Sequence, residues 1–308
     1  MFRIIRETNI NFIGVRKIAF LISLGLIVTG IIAFTMIVTG KANLGIDFAG
    51  GVMITGYFDQ PVAIDGLRNA ISVKYSDAQI THLHDFEKEN AFIVKTKSPE
   101  TETESKERLI GLKKLIGEKF SDNNFTIVSE HLIGPAVGET LRNDAQKAIL
   151  ISLLGIIVYI WIRFDFRSGI AATIAVFHDV FAVMGIFYIL GLEFNLLIVT
   201  ALLTLAGYSL SDTVVVFDRI RENIKKYHSK GEFIPCVNKS INEVLSRTIN
   251  TSLTTFLVIF IIFLFGGNVL HNFALAMLLG IMVGTYSSVF VASPIVVEWE
   301  ARSPKRFK

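Results

Sequence analysis

Apolar residues in this chain arrive in runs of a length that a lipid bilayer demands. About 20 consecutive apolar residues cross the hydrocarbon of a membrane. Six stretches qualify, near residues 18–39, 146–163, 169–190, 195–217, 249–267 and 272–297. Hydrophobic residues make up 52% of the 308, and the 19% that are charged gather between the runs. That clustering marks a polytopic α-helical membrane protein with six transmembrane helices.

The charges between the runs set the topology. Arg3, Arg6, Arg16 and Lys17 precede Ile18–Val38, a run too long for a cleaved signal and without a small-x-small site before Gly40-Lys41. It is expected as a retained first span. Arg163 and Arg167, the segment 218–247 and the tail are basic, whereas the connections 191–195 and 266–272 contain no Lys or Arg. Positive loops stay inside, so both termini are expected in the cytoplasm. The expected organisation is an N-terminus and first helix (1–40), an extracytoplasmic domain (41–141), a five-helix bundle (142–298) and a basic tail (299–308).

The large polar segment reads as α+β. Strands are expected at Val52–Phe58, Gln79–His84, Ala91–Lys97 and Phe125–Leu132, with helices at Ile64–Val73 and Ser105–Phe120. The second helix shows an apolar register at Leu109, Leu112, Leu115, Ile116 and Phe120. The order βαββαβ suggests a ferredoxin-like sandwich between membrane helices 1 and 2. After the fourth span, Asp218 to Lys226 reads as a helix continuing past the membrane. Cys236 to Leu245 reads as an amphipathic stretch along the interface.

Chemistry is sparse. No phosphate-binding loop, dinucleotide fingerprint, HExxH or CxxC is present, so no enzyme, cofactor, metal or nucleic-acid partner is expected. His82 and His84 share one side of a strand, with His131 conceivably near, but ordinary surface histidines explain them. A lone Cys236 excludes an internal disulfide framework.

One residue stands out. Asp212 lies inside the run Leu196–Phe217, five residues short of its end. An acid there costs about 2.5–3.5 kcal/mol on insertion scales, so it is a functional candidate. Ser209 shares its helix face. Arg247 opens a polar stripe through Thr251, Thr254 and Thr255, and it lies at a depth similar to Asp212, so the two are expected to pair. His178 and Asp179 occupy the middle of span three, as a relay or as polar contacts that hold the bundle. Gly280 with Gly284, and Gly207 with Ser211, form small-xxx-small pairs suited to close helix approach.

Two segments carry a family resemblance. Leu44-Gly45-Ile46-Asp47-Phe48-Ala49-Gly50-Gly51 follows the first span, and Gly207 to Glu222 (GYSLSDTVVVFDRIRE) ends the fourth. Both resemble signatures of the SecD/SecF family of protein-export membrane proteins, within the resistance-nodulation-division superfamily, on its SecF side. Val137-Gly138, His178-Asp179 and Ser246-Arg247-Thr248 extend the likeness over nearly the whole chain. The resemblance implies half of a twelve-span SecDF unit. That unit would hold a SecD-like subunit, sit in membrane lipid beside the SecYEG channel, and use the proton motive force to promote export of a translocating preprotein. It places a proton-relay carboxylate on Asp212 and a membrane arginine on Arg247. Elementary physics gives the first signature a structural task. Gly45, Gly50 and Gly51 permit a tight passage into the first strand, and Asp47 could cap that turn. Half of a small-molecule or lipid exporter of the same superfamily is the alternative.

Overall fold

The computed structural model describes residues 8–83, 90–97, 101–226 and 233–303. Among them are six helical stretches long and apolar enough to cross a membrane. Helix α1 (Arg16–Val38) follows one 3-10 turn. A single-turn α2 (Ile46–Ala49) leads into β1 (Gly51–Phe58), α3 (Ile64–Ser72), β2 (Gln79–Leu83), β3 (Ala91–Lys97), α4 (Glu102–Lys119) and β4 (Phe125–Ile133). The bundle continues as α5 (Pro135–Arg163), α6 (Phe166–Ile189), α7 (Leu196–Ile224), α8 (Phe233–Phe265), α9 (Gly267–Ser287), a π turn (Ser288–Ala292) and α10 (Ser293–Arg302).

The α+β domain has the element order expected from its periodicities. Its four strands form one antiparallel sheet in the order β2-β3-β1-β4. Period-2 alternation puts Val52, Ile54 and Phe58 of β1, Ile80 of β2, and Phe92 and Val94 of β3 on one face. Leu67 and Ile71 of α3 and Leu112 and Ile116 of α4 cover that face. Helix α4 starts three residues before the expected Ser105 because Thr101 caps it, its hydroxyl accepting from Glu104 N at 3.3 Å. His82 and His131 lie on β2 and β4, the two opposite edges of the sheet, so they do not converge; His84 lies outside the described residues.

In the bundle, α6, α7 and the α9–α10 stretch form the buried centre, while α1, α5 and α8 keep most of their surface outward. Helices α1 and α6 interlock through single glycines. A Cβ on Gly30 would lie 2.3 Å from the Phe181 carbonyl oxygen, and one on Gly185 would lie 2.5 Å from Thr29 Oγ1. Backbones this close need both positions free of a side chain.

Three boundaries differ from the sequence reading. Helix α5 begins at Pro135, ahead of residue 142, with the proline in its first turn, where its missing N–H costs nothing. Cys236–Leu245 is not a separate interfacial segment; it is the first part of the continuous α8. Phe233, Val237 and Ile241 are buried with Phe12, Ile13 and Ile220, and Asn238 and Asn242 accept from Ile13 N and Ile10 N at 3.0 Å each, which holds it upright. The sixth span is interrupted by the π turn. Pro294 lacks an N–H and its ring crowds the carbonyl one turn back, so the helix widens there, and Ser293 Oγ bonds Ser288 O at 2.9 Å.

Candidate functional site

Asp212 is 5% exposed and faces the bundle, not its surface. Ser252 Oγ of α8 donates to Asp212 Oδ2 at 3.2 Å. Thr285 Oγ1 of α9 lies 3.5 Å from that oxygen and 2.7 Å from Ser252 Oγ. Three helices thus meet on one carboxylate. Its hydrogen-bonding partners are neutral hydroxyls, and among the described residues no Lys or Arg forms an ion pair with it.

A second carboxylate lies one helix away. Asp179 is fully buried. Its Oδ1 is 2.8 Å from His178 Nδ1, and its Oδ2 accepts from Ser287 Oγ of α9 at 2.7 Å and from Ser209 Oγ of α7. Ser209 lies one turn before Asp212, so α7 contributes to both carboxylates. Helix α9 does the same through Ser287 and Thr285, which point to different sides. It can approach α7 because Gly280 and Gly284 line the contact. A Cβ on Gly280 would lie 2.5 Å from Leu205 Cδ1, and one on Gly284 would lie 3.1 Å from Ser209 Cβ.

The expected pair of Asp212 and Arg247 is not formed. Arg247 is exposed. It precedes Ser252 by five residues, which is about 140° of rotation around a helix, so the residue that meets Asp212 and the arginine look in different directions. Thr251 and Thr254 are exposed and Thr255 half-buried, and their hydroxyls bond back to Arg247 O and Thr251 O of their own helix at 2.9–3.1 Å. Gly207 and Ser211 also face outward, with nothing within 4 Å of a Cβ on Gly207. Among the described residues they line no helix contact.

Residues 113–302 match the family described as protein export membrane protein SecD/SecF, C-terminal. The SecF protein translocase subunit of Thermodesulfovibrio yellowstonii is 49% identical over 300 residues, 96% of this chain and 97% of that one. The SecF of Petrotoga mobilis is 39% identical over 307 residues, 97% and 99% of the two chains. The chain belongs to the SecD/SecF family. The crystal structure of SecDF from Thermus thermophilus, a translocon-associated membrane protein, superposes with a TM-score of 0.79 at 38% identity. The match covers 96% of this chain and 39% of that one. SecDF in a super-membrane-facing form gives a TM-score of 0.68 at 37% identity, covering 98% and 40%. This chain therefore corresponds to about two fifths of a SecDF chain, as a SecF-type subunit.

The first SecD/SecF signature is built into the N-terminus of the helix that carries the second. Gly45 N donates to Phe194 O and Phe194 N to Asn43 O, each at 2.8 Å. Asp47 does not bond its own turn as the sequence suggested. Its Oδ2 accepts from Leu196 N at 3.1 Å and caps α7, beside Asn195, whose side chain accepts from Ile198 N at 3.1 Å. A Cβ on Gly45 would lie 2.4 Å from Glu193 Oε1, and Gly50 has φ +71°, a conformation glycine favours. Gly51 is held against Thr96 O, and Gly138 of α5 against Gly50 N. Lys95 of β3 closes the joint on Glu193 at 2.9 Å. Sequence reasoning missed Ser252, Thr285, Ser287, Gly30 and Gly185. The run Thr285-Tyr286-Ser287-Ser288 inside an apolar span was the available signal for two of them.

Proposed function

We propose that this SecF-type chain joins a SecD-like subunit in the bacterial inner membrane, with both termini in the cytoplasm. There it uses the proton motive force to promote preprotein export through a neighbouring SecYEG channel, and it catalyses no covalent reaction. The observation that carries this reading is Asp212. An acid held in the bundle by two neutral hydroxyls is costly as a permanent anion, and it has a use if it takes up and gives up a proton. A charge crossing the membrane field releases about 2.3 kcal/mol per 100 mV, enough to drive a conformational cycle.

Arg247 enters the same scheme from outside the bundle. It shares the outward side of α8 with Thr251 and Thr254, and α7 presents Gly207 and Ser211 outward. Hydroxyls, glycine and a guanidinium on a membrane-facing surface call for a protein cover. A SecD-like half supplies one, and its arrival sets the environment in which Arg247 acts with Asp212 as the proton relay. Likeness to SecF subunits along nearly the whole chain favours this reading over a self-contained exporter.

Replacing Asp212 with Asn keeps size and hydrogen bonding but removes the titratable group. In vesicles with the partner present, gradient-dependent stimulation of export should fall to background, while ATP-driven export without a gradient should persist. Export at the wild-type rate under a full gradient would make Asp212 a structural residue and end this reading.

A further inference from the structure

The buried Asp179–His178 pair is a proton site by construction, and nothing in the Asp212 relay requires it to be one. Asp179 is 0% exposed and His178 1%. The carboxylate receives Ser209 and Ser287 on one oxygen and faces His178 Nδ1 with the other. The far nitrogen, His178 Nε2, is buried and has no hydrogen-bond partner. With Nδ1 donating to the carboxylate, Nε2 is bare and the pair carries one net negative charge inside the bundle.

Among the described residues no cation offsets that charge. Helix α1 brings Ser23 to the neighbourhood, through a 3.2 Å contact with Tyr286 Oη, and its charged residues are confined to Arg16 and Lys17 at its start. Helix α7 brings Ser209, Tyr208 and, one turn on, Asp212. Helix α9 brings Ser287 and Tyr286, whose ring centroid lies 6.2 Å from that of His178, and its other titratable group is His271 near its start. Helix α5 has no charged side chain between Lys147 and Arg163. On α6, Arg167 is committed to Glu300 of α10. A buried anion with no counter-charge costs several kcal/mol, and one proton removes that cost.

Resting on the proton-driven reading of the bundle, we infer that Asp179 and His178 form a second proton-binding site, loaded at His178 Nε2. A hydronium ion gives its proton to the bare nitrogen and leaves as water, and the imidazolium then faces the carboxylate as a neutral ion pair. Because Ser209 and Ser287 belong to the helices that also serve Asp212, the two sites share α7 and α9 and report to each other through them. The π turn begins at Ser288, directly after the serine that bonds Asp179, so loading acts next to the break in the regular helix of the sixth span.

The test is infrared difference spectroscopy between acid and alkaline buffer on the purified complex with its SecD-type partner, with and without isotope labelling of histidine rings. Wild type should show a histidine-label-sensitive band in addition to the Asp212 carboxyl band. Asp179→Asn should abolish the first and leave the second; His178→Gln should abolish its label sensitivity. Identical spectra for wild type and both variants would overturn the second site. Should Asp179→Asn fail to assemble, Ser287→Ala, which deletes one donor and keeps the acid, must shift the band, and an unmoved band overturns the proposal equally. Asp212→Asn separates the two readings. If wild type lacks a band that this variant removes, while the histidine-sensitive band is present, the Asp212 relay fails and the second site stands. The reverse pattern removes only the second site.

Discussion

Replacing Asp47 with Ala isolates the contribution of the first family signature. The carboxylate caps α7 by accepting from Leu196 N at 3.1 Å. Losing a side-chain cap costs about 1 kcal/mol, within a range of roughly 0.5–2. Losing the negative charge beside a helix N-terminus costs about 0.3–1 kcal/mol more. Asn195 still satisfies Ile198 N, so the damage stays confined to one amide, and the total should be about 1–2 kcal/mol. Asp47→Asn keeps an acceptor and should lose only the charge contribution, under about 1 kcal/mol. Hydrogen exchange read by mass spectrometry resolves this. The peptide starting at Leu196 should exchange about 5–30 times faster in the Ala variant, with little change around Asp212 on the same helix. Unchanged exchange at Leu196 would show that the cap is not made. Equal damage from Asn and Ala would show that charge, and not the hydrogen bond, is what the joint needs.

Other outcomes follow from the same geometry. Gly30→Ala forces a methyl against the Phe181 carbonyl oxygen and should cost about 1–3 kcal/mol; Gly25→Ala, with nothing within 4 Å, should be neutral or stabilising by up to about 1 kcal/mol. Equal melting temperatures for these two variants would refute the α1–α6 interlock. A cysteine at Gly207 should crosslink to the SecD-like subunit in intact membranes, whereas one at Gly280, against Leu205, should not; the opposite pattern would misplace the partner. A cysteine at exposed Thr103 should react with an impermeant thiol reagent from outside. Native Cys236, being buried, should stay silent even after the membrane is opened and react only on unfolding. Early labelling of Cys236 would contradict its burial at the start of α8.

What could be read from the sequence is what lies along a helix axis or alternates across a strand. The six spans were legible because a bilayer sets their length, and the strands because burial on one face enforces a period of two. Asp212 was legible because an acid is conspicuous among Leu and Val. Its neighbours were not. Hydroxyl side chains in membrane helices commonly bond their own backbone, as Thr251, Thr254 and Thr255 do here. Depth picked out that stripe, but rotation selects Ser252, one residue away. The same limitation produced the expected Asp212–Arg247 pair, because similar depth says nothing of azimuth. Gly30 and Gly185 carry no spacing motif, each being a single glycine whose partner lies on another helix. Asp47 was read as a cap of its own turn, whereas it caps a helix whose first residue lies 149 positions away along the chain, beyond any local pattern.

In the proposed assembly, the outward face of this chain would let a SecF-type subunit wait for its partner. On α7, Thr200 donates to Leu196 O at 3.0 Å and Thr204 to Thr200 O at 2.8 Å; on α8, the three threonines do the same. Each of these five threonine hydroxyls is therefore satisfied within its own helix. Those threonines tolerate lipid before assembly, and Arg247 is the group on the face that calls for the cover. In the proposed pair the threonines would let a neighbouring helix slide or rotate without breaking interhelical hydrogen bonds. The bonds that do cross between helices, from Ser252 and Thr285 to Asp212 and from Ser209 and Ser287 to Asp179, all lie inside the chain. In the proposed mechanism, firm contacts at the carboxylates and a smooth face toward the partner would direct a change of protonation into movement between the two halves and away from disruption of either one.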